Sequence, residues 1–148
     1  MIQQARRDGV AVLTLDRAEK HNALNTELCG QLREALESAV DEGARAIVVT
    51  GTGPSFCSGA DLAEVYTADF RDALYAMLHA VAEAPVPVIA AVNGAAIGAG
   101  TQLAIAADFR VVSPAAFFEV PTARLGLAVD PWTIRRLPDM PRCRSRVP

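Results

Sequence analysis

The apolar positions of the chain fall into short runs and helical stripes, and the two alternate. Val10–Leu15, VAVLTL, follows a turn at Asp8-Gly9 and predicts a strand. Residues 17–24, RAEKHNAL, are a polar loop. Asn25 or Thr26 can cap a helix running to about Asp41. Leu28, Leu32, Ala35, Leu36 and Ala39 share its apolar face, and Gly43 ends it. Residues 46–50, AIVVT, form a continuous apolar run, the pattern of a parallel strand covered on both faces. A second amphipathic helix is predicted over 68–84, with Leu74, Met77, Leu78 and Val81 as its core stripe, and Pro85 and Pro87 stop it. Val88–Val92 is the next buried strand. A helix over 101–107, a strand over 109–113 and a short strand over 117–120 follow. Residues 131–137, PWTIRRL, open a helix with Pro at its first turn.

Strands alternating with helices define the α/β class. The core is expected over 1–137. Residues 138–148, PDMPRCRSRVP, put three prolines and three arginines where a helix would continue. They read as an irregular tail, or as a sign that the natural chain is interrupted there.

Composition narrows the picture. A chain of 148 residues can bury one domain core, and here Ala, Val and Leu carry it. The net charge of −3 gives no reason to expect nucleic acid. Arg135, Arg136, Arg142, Arg144 and Arg146 crowd the C-terminal end, so the rest is more acidic than the total. Cys29, Cys57 and Cys143 show no CxxC or Cys/His spacing, which argues against a disulfide framework or structural zinc. MIQQARRDGV has no apolar signal-peptide segment, so a cytoplasmic protein is expected. Residues 88–107 are uncharged and long enough to span a bilayer, with a GxxxG spacing. Pro85 and Pro87 before the run and Asn93-Gly94 within it favour strand–loop–helix, and no membrane span is expected.

Two loops carry the candidate chemistry. PSFCSGADL, 54–62, follows one buried strand and places Gly59-Ala60-Asp61 at the expected mouth of a short helix. NGAAIGAGTQL, 93–103, follows the next. Helix N-termini present unpaired N–H groups, and small residues allow close approach to the backbone. If Ala60 and Ala99 converge, their N–H groups make a two-donor site for a carbonyl oxygen that gains negative charge. The alternative is a pair of glycine turns needing positive φ. Gly94, Gly98 and Gly100 do not fit the order G-x-G-x-x-G of a dinucleotide loop. Asp61 reads as a cap for the following helix, Cys57 as a buried filler, and His79 as a surface residue.

RAEKHNALNTEL, FCSGADL, PVPVIAAVNGAAIGAGTQLAIAADFRV and LGLAVDPW, in that order, resemble the enoyl-CoA hydratase/isomerase, or crotonase, superfamily. The resemblance covers residues 10–137. It implies a spiral of ββα units that lacks the family's C-terminal helical trimerisation part. It implies a CoA thioester as substrate or ligand, with no other cofactor and no metal. The thioester carbonyl would sit between the N–H groups of Ala60 and Ala99. The ligand would run past Ala23 and Leu24 and along Ser58, Gly59, Asp61 and Leu62. Gly98, Gly100, Gln102, Pro121, Thr122 and Leu125 would complete its surroundings. Full-length members are expected as homotrimers or hexamers.

The sequence departs from the family's hydratases at two places. Their two glutamates, which hold and activate water, match Gln102 and Thr122 here. Neither an amide nor a hydroxyl takes up a proton at neutral pH, and general acid–base transfer is worth about 10²–10⁴-fold. Glu119 lies near Thr122 in sequence, but strand alternation sends it to a different face from Val120. Asp130 sits where dienoyl-CoA isomerases carry a catalytic aspartate, and Asp-Pro at a helix start equally makes it an N-cap. VPTARLGLAVDPWTIRRL with Gln102 resembles mycobacterial-type homologues that lack both glutamates and bind long-chain acyl-CoA. The first expectation is thus a fatty acyl-CoA-binding protein with little or no hydratase activity. The alternatives are an enoyl-CoA isomerase or weak hydratase using Asp130, and an inactive fragment.

Overall fold

A computed structural model describes residues 1–121 and 129–137. The elements run in ββα order: β1 (Ile2–Arg7), β2 (Val10–Leu15), α1 (Thr26–Asp41); β3 (Ala46–Gly51), β4 (Ser55–Cys57), α2 (Ala68–Ala82); β5 (Val88–Val92), β6 (Ala95–Ile97), α3 (Ala99–Ala106); β7 (Phe109–Val112), β8 (Phe118–Glu119), α4 (Pro131–Arg136). The α/β class holds, and the repeated ββα unit is visible in this order.

The first strands of the units build one five-stranded sheet in the order β1-β2-β3-β5-β7. Only β1 is antiparallel; β2, β3, β5 and β7 run parallel. The second strands build a separate parallel sheet, β4-β6-β8. In β2 and β3 every second residue is fully buried and its neighbours are half-buried, as Leu13 and Leu15 or Ile47 and Val49 show. The 88–107 run divides among β5, β6 and α3, so it is not a membrane helix. Among the described residues no helix is long and apolar enough to cross a membrane.

The helices form for the reasons their sequences give. Asn25 caps α1 by accepting from Leu28 N at 2.9 Å, and the five expected face residues are all buried. Thr67 caps α2, which buries Leu74, Met77, Leu78 and Val81 together with Phe70. Asp130 caps α4 through Thr133 N at 2.9 Å, with Pro131 at the first helical position. At the sheet edge, β7 leaves Phe109 and Val111 exposed.

Candidate functional site

Pairing of β4 with β6 brings the two glycine-containing loops side by side. Ser55 lies against Ala95 and Cys57 against Ala96. Gly59 has φ +104°, and a Cβ there would come within 2.8 Å of Ile97 O and 3.8 Å of Ala99 N. At Gly100 a Cβ would overlap Cys57 O at 2.2 Å. Neither position tolerates a side chain, and the absence of one lets the two backbones touch.

The N–H directions follow from the pairing. Leu24 and Ala60 form a parallel bridge: Leu24 N donates to Gly59 O and Asp61 N to Leu24 O, each at 2.7 Å. In such a bridge the central residue turns its own N–H away from its partner. Ala60 N–H therefore faces away from Leu24. Ala99 is the first residue of α3, where an N–H has no partner within the helix. Among the described residues neither group donates to a protein acceptor. Both residues line one cavity of about 450 Å³.

A short helix was expected after Gly59-Ala60-Asp61. The structure has turns over 62–66 instead, and the next helix begins only at Ala68. Asp61 is therefore not a helix cap. It accepts from Ala63 N at 3.1 Å and pairs with Arg17 at 2.8 Å. Those two contacts hold its carboxyl below the usual range, the Ala63 N–H contributing most. Arg17 also donates to Ala23 O at 3.0 Å, tying the HNAL loop to the turn. Buried Asn22 accepts from Arg17 N and donates to Thr52 O and Ser55 O. Glu64 closes the turn from the other side by accepting from Thr26 N and Oγ1. Ala60 is thus carried on a turn clamped at both ends.

The cavity wall is mostly apolar, with Leu62, Val65, Phe70, Leu74, Val120 and Val129 among its residues. One polar cluster interrupts it. Gln102 Nε2 donates to Asp130 Oδ2 at 2.8 Å and to Thr133 Oγ1 at 2.7 Å. Thr133 Oγ1 donates to Asp130 Oδ2 as well. An ionised carboxylate only accepts, so the amide must turn its NH2 towards Asp130. Burial alone would raise the Asp130 carboxyl, but the Thr133 hydroxyl and backbone N–H groups outweigh it and leave it lowered. Tyr75 lines the same cavity as Asp130. Its phenol is pushed up, by burial first and by the Asp130 charge second.

The candidate residues divide by place. Ser58, Gly59, Ala60, Leu62, Gly98, Ala99, Gln102, Pro121 and Asp130 line the cavity. Ala23, Leu24, Asp61 and Gly100 stand behind it as the clamp and the loop contact. Thr122 and Leu125 lie outside the described residues. Cys57 is fully buried with its thiol pushed up to about 12 by burial, as a filler should be. His79 is exposed, near Glu83 and the Trp132 ring. Sequence reasoning missed Phe70, Tyr75 and Thr133. Tyr75 and Thr133 carry polar atoms, but in sequence each looks like an ordinary helix residue.

Ala60 and Ala99, whose N–H groups have no protein acceptor among the described residues, thus line one largely apolar cavity. Comparison with known proteins identifies the family. The sequence model described as enoyl-CoA hydratase/isomerase matches residues 5–140. The probable enoyl-CoA hydratase echA6 of Mycobacterium bovis is 49% identical over 138 residues, covering 93% of this chain and 57% of that protein. The mitochondrial Delta(3,5)-Delta(2,4)-dienoyl-CoA isomerase of Rattus norvegicus is 34% identical over 151 residues, covering 90% of this chain and 46% of that protein. The crystal structure of an enoyl-CoA hydratase from Polaromonas sp. JS666 superposes with a TM-score of 0.85 at 34% identity, covering 95% of this chain and 59% of that one. The chain therefore spans about half the length of the relatives it matches. The family's model covers nearly all of this chain, its ββα order is regular, and its relatives exceed 30% identity: the chain belongs to the enoyl-CoA hydratase/isomerase family.

Proposed function

We propose that the cavity binds a fatty acyl-CoA thioester and hydrates an enoyl chain slowly or not at all. The observation that carries this reading is the pair of unpaired N–H groups, Ala60 and Ala99, on one largely apolar wall beside the Gln102 amide. The carbonyl oxygen would accept from both N–H groups. The acyl chain would lie against Leu62, Val65, Phe70 and Leu74. Water addition needs a group that takes a proton and another that returns it. Gln102 can do neither, and its NH2 is committed to Asp130 and Thr133.

The alternative is an isomerase or weak hydratase in which Asp130 moves the proton. Its support is the place of Asp130 on the cavity wall. Against it, the carboxylate accepts from Thr133 N, Thr133 Oγ1 and Gln102, and sits below the usual range, far from a base poised near neutrality.

The test is a titration with a medium-chain trans-2-enoyl-CoA, following Trp132 emission and the enoyl absorbance together. Saturable emission change at constant absorbance is expected. Absence of a saturable change refutes the binding reading. Falling absorbance that Asp130→Asn abolishes, with the fold intact, establishes the alternative.

A further inference from the structure

Gln102 invites the reading of a lost glutamate. Its contacts give it a second role. The residue projects from α3, and the partners of its amide, Asp130 and Thr133, both belong to the start of α4. Asp130 in turn caps α4 through Thr133 N. One amide thus ties the first turn of one helix to the cap of another, across the wall of the cavity.

We propose that Gln102 and Asp130 are one charge-compensated unit, in which Gln102 is a positioning residue that pins α4 to α3 and a carboxylate at 130 requires a neutral donor at 102. The argument is electrostatic. Asp130 is part-buried and ionised, and its Oδ2 lies 2.8 Å from the nitrogen at 102. A glutamate at 102 would place a second carboxylate at that distance. Two carboxylates sharing one site cannot both stay ionised, and the pair keeps a proton to higher pH than either would alone. The surroundings offer little relief. Among the described residues, α3 carries no charged side chain. From α2, the Tyr75 phenol and Arg71 line the same cavity, Arg71 pairs with Asp72, and His79 is exposed beside Glu83. From α4, Arg136 stacks over Trp132 at 4.7 Å, and Arg135 is exposed. No described cation bonds either oxygen of Asp130.

Restoring the family's glutamate at 102 alone therefore does not restore a hydratase site. It sets a like charge against Asp130 and loosens the α4 wall. This inference is independent of whether the cavity binds acyl-CoA, because its readout is stability without ligand.

The experiment melts the wild-type chain, Gln102→Glu, Asp130→Asn and the double variant between pH 5 and pH 8. The shared groups, His79 included, cancel when each variant is compared with wild type at the same pH. At pH 8 Gln102→Glu is expected to melt roughly 5 °C below wild type. In that variant the pair holds a proton above the ordinary carboxylate value, so its deficit must shrink as pH falls towards 5. The double variant restores a carboxylate opposite an amide and is expected to recover most of the loss, with a deficit that does not vary with pH. Three results overturn the proposal: Gln102→Glu melting with wild type at pH 8, a deficit equal at all pH values, or a double variant no better than the sum of its singles. If Gln102→Glu does not fold at pH 8, recovery by the double variant alone supports the unit, and its failure overturns it.

Discussion

Gly100 and Gly30 both lie in helices, and helix propensity gives the same forecast for alanine at either one. Alanine in place of glycine inside a helix stabilises by about 0.5–1 kcal/mol. The contacts separate the two. At Gly30 in α1 an added Cβ meets nothing within 4 Å, so Gly30→Ala should show the propensity gain. At Gly100 the Cβ would fall 2.2 Å from Cys57 O, 2.9 Å from Cys57 C and 2.9 Å from Cys57 Cβ. A contact to a backbone carbonyl needs more than 3 Å, so α3 and β4 must part by about 1 Å. Neither can do so freely. Cys57 is in a strand paired with β6, and Gly100 is in the first turn of a helix whose next residues are buried. Overpacking of this kind costs about 1–3 kcal/mol, and the propensity gain offsets less than half of the upper figure.

Gly100→Ala should therefore destabilise by about 1–2 kcal/mol net while Gly30→Ala stabilises. At about 2–4 °C per kcal/mol, the melting temperatures of the two variants should differ by roughly 3–12 °C, in opposite directions from wild type. Thermal unfolding followed by circular dichroism measures this without any ligand. A second readout follows from position. Gly100 neighbours Ala99, so a displaced α3 moves one of the two proposed N–H donors, and under the proposed function acyl-CoA affinity should fall in Gly100→Ala and not in Gly30→Ala. If Gly100→Ala melts at or above wild type, the close approach of α3 to β4 is wrong, and so is the geometry given to Ala99.

Three further outcomes follow from the contacts. Asp61→Asn keeps an acceptor for Ala63 N and removes the charge opposite Arg17; a loss of about 1 kcal/mol is expected. Because the Asp61 carboxyl is lowered in the fold, its contribution is present above the unfolded value near 4 and disappears as pH falls through the folded one; urea melts at pH 7 and pH 3 should show a smaller gap at pH 3. Cys29 and Cys57 are pushed up to about 12, so stability should decline as pH rises from the ordinary thiol value towards 12, and a thiol reagent should label these two only after unfolding. Asn22→Ala removes buried hydrogen bonds to Thr52 O and Ser55 O and should cost about 1–3 kcal/mol, read as a lower denaturation midpoint.

The parts of the fold that sequence makes legible are those in which local pattern and burial agree. Leu28, Leu32, Ala35, Leu36 and Ala39 form a helical stripe, and all five are buried in α1. Val88–Val92 is apolar between breakers and is a strand with those bounds. The missed elements lack local pattern. β1, IQQARR, is an edge strand with five exposed residues, so nothing in it alternates towards a core. β4 and β6 are three residues each, SFC and AAI, and exist because each pairs with the other. Asp61 followed a buried strand and preceded apolar residues, which resembles a helix start. Arg17, forty-four positions back, recruits it into a clamp, and sequence neighbours carry no trace of that pair.

The same distinction governs the site. Glycine and alanine at 59–60 and 98–100 pointed to backbone donors because close approach can be argued from residue size alone. The far wall could not be found in this way. Tyr75 and Thr133 lie on helices separated in the chain by α3 and four strands, and each looks like an ordinary helix residue until the fold places both beside Asp130 on one cavity. Gln102 makes the point most sharply. On the resemblance to the family's hydratases it reads as a missing base. Beside Asp130 it is a donor that the neighbouring carboxylate needs. The two descriptions predict different outcomes for one substitution, activity gained or stability lost. The 2.8 Å contact is the ground for expecting the second, because a second carboxylate there would meet the Asp130 charge before any water could be activated.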